Sequence, residues 1–404
     1  MAFPFLLFPP LSRSVPVVAA PEPARAGRIG TVIYLDHNAT TPVHPRATAA
    51  MLPYLEEFWG NPSSVHAAGQ RARRAVENAR GEVGRLLEAS EPDEIVFTSG
   101  GTEADALAIF ASSGSARKGL AISAVEHPAV AEPAKSRERQ GANLRVLPVL
   151  PSGELDLDTA ERSIDADVGL VSVMTANNEY GGIFPVEALA AIAHGRGAIF
   201  HTDAVAALGK IPVSARSGAD LISISAHKIG GPKGAGALYA RKGIDVPALF
   251  PGGGQERRRR GGTENVAGIV GFGEVARWIR EERDSAARIA ALRDAFEERA
   301  IAECGRVIVW GRNTARLPNT SALAFPGSSG EAIAIALDLA GIAVSVGSAC
   351  SSGSVSPSPS ILALGASPAE AKSTIRFSFG PEHRREDVEA VIAALSRIVR
   401  KDRP

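Results

Sequence analysis

The chain has 404 residues, of which 45% are hydrophobic and 22% are charged, and its formal net charge is zero. This balance is typical of a folded protein with one large or two medium domains, and it gives no overall attraction for nucleic acid or an anionic membrane. No stretch approaches the roughly 18 uninterrupted apolar residues of a membrane span. With Cys304 and Cys350 as the only cysteines, we expect no disulfide framework and predict a cytoplasmic protein.

Residues 1–31 differ in composition from the rest of the chain. The first residues are apolar but interrupted by prolines, and they lack the basic start of a secretory signal. Arg13, Arg25 and Arg28 then outnumber the acid Glu22, as in organelle transit peptides. A disordered tail or a misplaced start codon accounts for the same residues, and we expect a disordered N-terminal extension.

From residue 31 onward, short apolar runs alternate with stretches of helical periodicity. The runs predict strands at 95–98, 120–123, 144–147, 169–174, 198–201 and 221–225. The periodic stretches predict helices at 66–87, 103–110, 186–194 and 387–399. This alternation favours an open, mostly parallel α/β sheet, in which ligands gather beyond the carboxyl ends of the strands.

The C-terminal third has a different pattern. A long charged helix predicted over 266–303 would link two lobes, and it is followed by strands at 306–310 and 321–325 and a helix at 331–339. We therefore predict a large domain at 40–284 and a smaller α+β domain formed by 32–39 and 285–404.

A lysine and an aspartate each follow a predicted strand. Lys228 stands just after the strand at 221–225, and Asp203 follows the strand at 198–201. A pyridoxal phosphate (PLP) site requires this pair, because the lysine amine condenses with the aldehyde and the carboxylate keeps the ring nitrogen protonated. Taken alone, Lys228 could equally be a solvated loop lysine.

Several residues near these strands could bind the phosphate of the same cofactor. Gly101 and Thr102 lie between a strand and a helix, where free backbone N–H groups attract anions; a capped glycine-rich turn is the alternative. Ser225 and His227 flank Lys228 and could reach the same phosphate.

Three more residues are candidates for chemistry. His127 ends a strand before a proline and could exchange protons near neutral pH, although it could also be an ordinary loop residue. Arg376 lies among strand-like apolar residues, where it needs either a substrate carboxylate or an internal salt bridge. Cys350 lies in a run of glycine and serine that can support a reactive thiolate, whereas Cys304 has the amphipathic surroundings of a structural residue.

Together these motifs resemble the cysteine desulfurases of the NifS/IscS group, which are PLP enzymes of aminotransferase class V. The matching segments occur in order across about residues 32 to 400: 34–42, 60–64, 97–103, 126–127, 177–179, 201–204, 226–228, 261–263, 347–350 and 375–377. The resemblance implies the PLP-dependent transferase fold of aspartate aminotransferase type (fold type I), with a large, mostly parallel sheet domain and a smaller α+β domain.

The resemblance also implies roles for individual residues. The cofactor-binding residues would be Gly101, Thr102, His127, Asn178, Asp203, Ser225, His227, Lys228 and Thr263. Among them, Lys228 would bond to the cofactor, Asp203 would contact the ring nitrogen, and His127 would stack on the ring and transfer protons. Arg376 and Asn178 would contact the substrate, and Cys350 would be the sulfur-accepting nucleophile.

The implied reaction removes sulfur from L-cysteine, giving L-alanine and a persulfide on Cys350. The persulfide would pass to an acceptor protein of iron–sulfur cluster assembly or thiolation. Thr263 corresponds to a threonine that reaches the phosphate of a second subunit, which implies a homodimer and places the arginine run 257–260 near the interface. We expect no metal, nucleic acid or membrane partner.

One position departs from the family pattern. Ala206 stands where the family usually has a glutamine that donates a hydrogen bond to the phenolic oxygen of the cofactor. A lost hydrogen bond costs about 0.5–1.5 kcal/mol, so the departure bears on efficiency more than on reaction type. Two alternatives therefore stay open: another class V PLP enzyme, such as a selenocysteine lyase or an aminotransferase, and a weakly active scaffold that binds sulfur-transfer partners.

Overall fold

The computed structural model describes residues 28–29, 32–111, 117–281, 285–347 and 356–401. In chain order the strands are β1 (Arg28–Ile29), β2 (Val32–Tyr34), β3 (Ile95–Thr98), β4 (Gly119–Ser123), β5 (Asn143–Leu147), β6 (Val168–Ser172), β7 (Ile199–Asp203), β8 (Leu221–Ser225), β9 (Gly236–Ala240), β10 (Ile308–Val309), β11 (Thr320–Ala324), β12 (Ile342–Ala343), β13 (Ser345–Val346) and β14 (Thr374–Ser378). The helices are α1 (Pro45–Glu56), α2 (Ala67–Leu86), α3 (Gly101–Ala111), α4 (Pro128–Arg139), α5 (Leu157–Ser163), α6 (Val186–Gly195), α7 (Val266–Glu281), α8 (Ser285–Glu303), α9 (Gly330–Leu339), α10 (Pro359–Ala363), α11 (Pro368–Lys372) and α12 (Arg385–Lys401). Within these ranges, no helix combines the length and the apolar character needed to cross a membrane.

Seven of the described strands form the main sheet, in the order β3-β9-β8-β7-β6-β4-β5. The five strands from β8 to β5 pair in parallel, whereas β9 runs antiparallel to both of its neighbours. Successive residues of a strand face opposite sides of the sheet: Phe97 and Ile222 join one hydrophobic cluster, and Val96 and Leu221 join another. A sheet covered on both faces needs continuous apolar strands, and the predicted mostly parallel α/β architecture is confirmed.

Most predicted strands of this sheet lie within two residues of their observed bounds, and those at 95–98 and 221–225 match them. Strand β9 was not predicted, because its short run of small residues does not stand out from a glycine-rich loop. Its first residue, Gly236, has a structural reason to lack a side chain, since a Cβ there would lie 2.6 Å from the Cα of Gly100. This close approach brings the start of α3 against the sheet.

Two smaller sheets lie outside the main one. Strands β10-β11-β14-β13 form an antiparallel sheet, and β2 pairs with β1 and with β12. Side chains of both small sheets, such as Ile33 and Phe377, pack with Leu35 and with Phe296 of α8 in a separate hydrophobic cluster, here called the second core.

The stretch predicted as one long helix is described as two, α7 and α8, and residues 282–284 between them lie outside the described part. Phe272 of α7 packs in the main-sheet core, whereas Phe296 of α8 packs in the second core. This arrangement supports the two-lobe division at 40–284 and 32–39 plus 285–404, which stays a proposal.

Candidate active site

Lys228 and Asp203 lie at the carboxyl ends of two adjacent parallel strands. Asp203 is the last residue of β7 and is paired in register with Ser223 of β8, and Lys228 follows the end of β8 by three residues. Burial raises the pKa of the Asp203 carboxyl, while the nearby His127 and Lys228 lower it. Burial, and then the charge of Arg376, lowers the pKa of Lys228 to about 8. The structure thus brings a weakly basic amine and a buried carboxyl to one edge of the sheet.

The Lys228 amine is held by backbone carbonyls from the segment that follows β2. Its Nζ donates hydrogen bonds to the carbonyl oxygens of Asn38 and Ala39. Asn38 is itself fixed, because its side chain donates to Thr320 Oγ1 at 2.8 Å and accepts from Asn319 Nδ2 at 3.0 Å. No role was predicted for Asn38, although the polar residues that follow β2 were a signal in the sequence that could have pointed to it.

Helix α3 begins beside the turn that follows Asp203. Gly101 is its first residue, and a Cβ there would lie 2.8 Å from Cγ2 of Val205. Glycine therefore lets the helix start close to the carboxyl end of β7. The first turn, with the exposed Thr102, presents backbone N–H groups and the positive end of the helix dipole, which favour an anion.

Ser225 and His227 lie between the helix and the lysine. Ser225 Oγ is buried and has no hydrogen-bond partner among the described residues, and its Cβ would be 3.6 Å from a Cβ at Gly101. The His227 ring nitrogen Nδ1 lies 3.1 Å from Thr40 Oγ1. Burial, reinforced by Lys228, lowers the pKa of His227 to about 4, so the ring is neutral at pH 7.

These features fit PLP. An unsatisfied buried hydroxyl and a helix N-terminus suit the phosphate, and the buried Asp203 suits a protonated ring nitrogen. Lys228 suits the aldehyde, because a lysine with a lowered pKa has more of the nucleophilic neutral amine. This chain thus provides a suitable group for each of three parts of the cofactor: the phosphate, the ring nitrogen and the aldehyde.

His127 caps helix α4. Its Nδ1 accepts the backbone N–H of Ala129 at 3.1 Å, so in the neutral ring Nε2 carries the proton and is left for exchange. The ring keeps contact with solvent, while desolvation by the surrounding protein lowers its pKa despite the opposing effect of Asp203. The neutral imidazole can donate a hydrogen bond from Nε2 beside the cofactor site, and its role in proton transfer stays a prediction.

Arg376 is in β14 and makes the internal salt bridge that was considered for it. Its Nη2 lies 2.8 Å from Asp36 Oδ1, and its Nη1 donates to the carbonyl oxygen of Asn178 at 3.1 Å. Its Nε is buried without a hydrogen-bond partner in the described part of the chain. Contact with a substrate carboxylate stays a prediction for Arg376, as does substrate or cofactor contact for the half-buried Asn178.

For the remaining positions singled out in the sequence, the structure gives less information about a role in the site. Thr263 is exposed in the single chain, and Cys350 lies outside the described residues. Ala206 packs in a small apolar cluster with Ala207 and Leu317, so its side chain offers no donor in place of the usual glutamine.

Lys210 is a further residue that sequence reasoning did not find. Its Nζ donates to the carbonyl oxygen of Ala206 at 2.7 Å. Burial, followed by repulsion from Lys228 and Arg376, lowers the pKa of Lys210 to about 7. A lysine after a glycine in a loop carries no sequence signal for such a position.

Comparisons with known proteins agree with this geometry. The aminotransferase class-V family matches residues 33–391. The cysteine desulfurase of Gluconacetobacter diazotrophicus is 46% identical over 374 residues, covering 91% of this chain and 94% of the relative. That of Cereibacter sphaeroides is 45% identical over 371 residues, covering 91% and 95%.

Solved structures are similar over nearly the same span. A NifS-like protein superposes with a TM-score of 0.84 at 33% identity, covering 92% of this chain and 100% of that one. A structure described as SspA in complex with cysteine superposes with a TM-score of 0.76 at 31% identity, covering 86% and 99%. The chain belongs to the aminotransferase class-V family and, within it, to the cysteine desulfurases.

Proposed function

We propose that this chain is a PLP-dependent cysteine desulfurase that takes sulfur from L-cysteine onto Cys350. The observation that carries the proposal is the pairing of Lys228 and Asp203 at adjacent strand ends, beside the N-terminus of α3. The cysteine bound to the SspA neighbour supports the choice of substrate. When bound, PLP supplies an electron sink for the charge left on the substrate after proton removal.

Four residues of this chain are assigned the proton transfers and the binding of cofactor and substrate. With the cofactor bound, Lys228 would be the base for the substrate α-proton, and its pKa of about 8 suits that task near neutral pH. Asp203 holds the ring nitrogen protonated. Arg376 receives the substrate carboxylate through its unpartnered Nε, and Nε2 of His127 returns a proton to the product.

The sulfur transfer balances without an external oxidant or reductant. The Cys350 thiolate attacks the substrate sulfur, a sulfur–sulfur bond forms, and the carbon–sulfur bond of the substrate breaks. The electron pair of that bond stays on the carbon, which takes up the proton that the Cys350 thiol has lost. L-cysteine and the thiol thereby give L-alanine and a persulfide, a reversible carrier state.

We also propose that the enzyme is a cytoplasmic homodimer whose persulfide passes to an acceptor protein of iron–sulfur assembly or thiolation. The loop that carries the exposed Thr263 is tied to the first turn of α3, because Arg260 Nε lies 2.9 Å from Glu103 Oε1. The same loop holds Phe250, which is 63% exposed and whose carbonyl accepts from Gly261 N–H at 3.2 Å. An exposed aromatic side chain in the same loop as Thr263 suits an interface between two copies.

The decisive experiment mixes the purified protein with L-cysteine and a reductant. We expect the visible absorption of bound PLP and equal amounts of sulfide and alanine. Absorption without sulfide would contradict the desulfurase proposal, and parallel assays with L-selenocysteine and with amino-group acceptors would then identify another class V activity. Absence of both would favour the scaffold alternative.

The two cysteines provide matched variants for this assay. C350S should keep the cofactor absorption but abolish persulfide formation. C304S should retain both, because Cys304 is buried in the second hydrophobic core. Loss of the persulfide in C304S but not in C350S would overturn the assignment of the nucleophile.

A further inference from the structure

The two ends of the segment that carries Cys350 lie close to the buried carboxylate of Glu179. Ser358 Oγ donates to Glu179 Oε2 at 2.5 Å, and both side chains are buried. On the other side of the segment, a Cβ at Gly347 would lie 3.5 Å from the same oxygen and 3.1 Å from Ser358 Cβ. Glu179 therefore binds the C-terminal end of the stretch of chain that contains Cys350 and lies close to its N-terminal end.

Glu179 is in turn fixed to the proposed substrate site. Its backbone N–H donates to Asn177 Oδ1 at 2.8 Å. The neighbouring carbonyl of Asn178 accepts from Arg376 Nη1 at 3.1 Å and from Asn38 Nδ2 at 3.0 Å. Asn38 is the residue whose carbonyl oxygen receives the Lys228 amine. A short chain of hydrogen bonds thus joins the Ser358 end of the Cys350 segment to the groups proposed to hold substrate and base.

We propose that Glu179 is a positioning residue for sulfur transfer, which fixes the C-terminal end of the Cys350 segment, close to Gly347 at its other end, relative to Arg376 through its hydrogen bond to Ser358. This inference rests on the proposed desulfurase function. Glu179 touches neither substrate nor cofactor in this role; it sets how often the thiol and the substrate sulfur meet in line. Misplacement by about 1 Å can slow such a step about 100-fold.

The chain offers a closely matched control for Ser358. Ser358 and Ser367 each precede a proline and cap the N-terminus of a five-residue helix, α10 and α11 respectively. The variants S358A and S367A both lose a cap, which costs about 1 kcal/mol, but only S358A loses the bond to Glu179. Two variants of Glu179 complete the set: E179A loses the hydrogen bond from Ser358, whereas the glutamine of E179Q can still accept it.

Two rates separate positioning from general damage. The first is exchange of the α-hydrogen of L-alanine for deuterium, which needs Lys228 and PLP but no thiol. The second is single-turnover formation of the Cys350 persulfide from L-cysteine, followed by mass spectrometry.

For E179A and S358A we expect persulfide formation to slow about 10- to 100-fold while exchange stays near the wild-type rate. S367A should leave both rates near wild type, and E179Q should restore much of the persulfide rate. A parallel fall of both rates in E179A and S358A, or equal behaviour of S358A and S367A, would overturn the positioning role. Wild-type protein that exchanges alanine but forms no persulfide would instead refute the proposed function.

Discussion

The loop before Thr263 is anchored by a buried ion pair that can be tested directly. Glu256 accepts hydrogen bonds from Arg80 Nη1 at 2.7 Å and Nη2 at 2.8 Å, and from the backbone N–H of Phe97 at 2.9 Å. Both charged side chains are 2% exposed. Burial alone would lower the pKa of Arg80, but its bonds to Glu256 raise it above the ordinary value. The substitution Glu256→Ala removes one partner of this pair and tests its contribution to stability.

The expected loss follows from what the substitution leaves behind. Removing one partner of a buried, hydrogen-bonded pair costs about 3–5 kcal/mol, because the other charge stays buried without compensation. Phe97 N–H also loses its partner. The backbone at Glu256 has φ of 45°, and alanine is strained there about as much as glutamate, so backbone strain largely cancels. We expect the free energy of unfolding to fall by about 3–5 kcal/mol.

Urea-induced unfolding at saturating PLP measures this difference. The control is Glu132→Ala, because the Lys135–Glu132 pair is 52% and 60% exposed and is expected to contribute at most about 0.5 kcal/mol. The double variant R80M/E256M should recover most of the loss, since apolar residues of similar volume can replace a buried pair. A loss below about 1 kcal/mol in E256A would refute the idea that the pair anchors the loop.

Three further predictions concern the same loop and the catalytic groups. Arg258 is exposed with φ of 66°, so Arg258→Gly should raise the free energy of unfolding by about 0.5–1 kcal/mol in urea titrations; a decrease would contradict a strained backbone. The pKa of Lys228 is lowered to about 8. The rate of PLP uptake by the apoenzyme should therefore rise about tenfold for each unit of pH increase up to that value and level off above it. A profile still rising at pH 10 would show an unperturbed lysine. Asp203→Asn should keep Lys228 bonded to the cofactor but lower turnover about 100-fold or more, and turnover near the wild-type rate would exclude Asp203 as the partner of the ring nitrogen.

The parts of the fold that sequence reasoning reached are those with a local signal. Strand β8 is a short run that alternates Ile222 and Ile224 with other residues and ends three residues before Lys228, and its bounds were predicted correctly. Strand β9 was missed, because its small residues are explained only by the Gly100 backbone that packs on Gly236. Of the helix predicted over 266–303, the structure describes 266–281 and 285–303, and these two parts pack in separate cores. Periodicity alone does not assign a helix to a core.

In the site, too, only residues with a local sequence signal could be predicted. Lys228 and Asp203 could be found because each follows a strand, and parallel strands bring their ends together. The partners of these groups are remote: Asn38, which receives the Lys228 amine, is 190 residues away, and Ser358 is 179 residues from Glu179. Such contacts follow from tertiary packing and leave no spacing pattern in one sequence.

The electrostatics of the site explain why Asp203, and not a neighbouring carboxyl, is suited to hold a protonated ring. Burial raises the pKa of Glu126 to about 8 and raises that of Asp105 well above its usual range. Asp203 is buried as well, but His127 and Lys228 oppose the rise in its pKa. A protonated ring nitrogen would act in the same direction as these two groups. Of these three buried carboxyls, Asp203 is therefore the one at the strand end that adjoins the lysine, where neighbouring positive charge favours its ionised form.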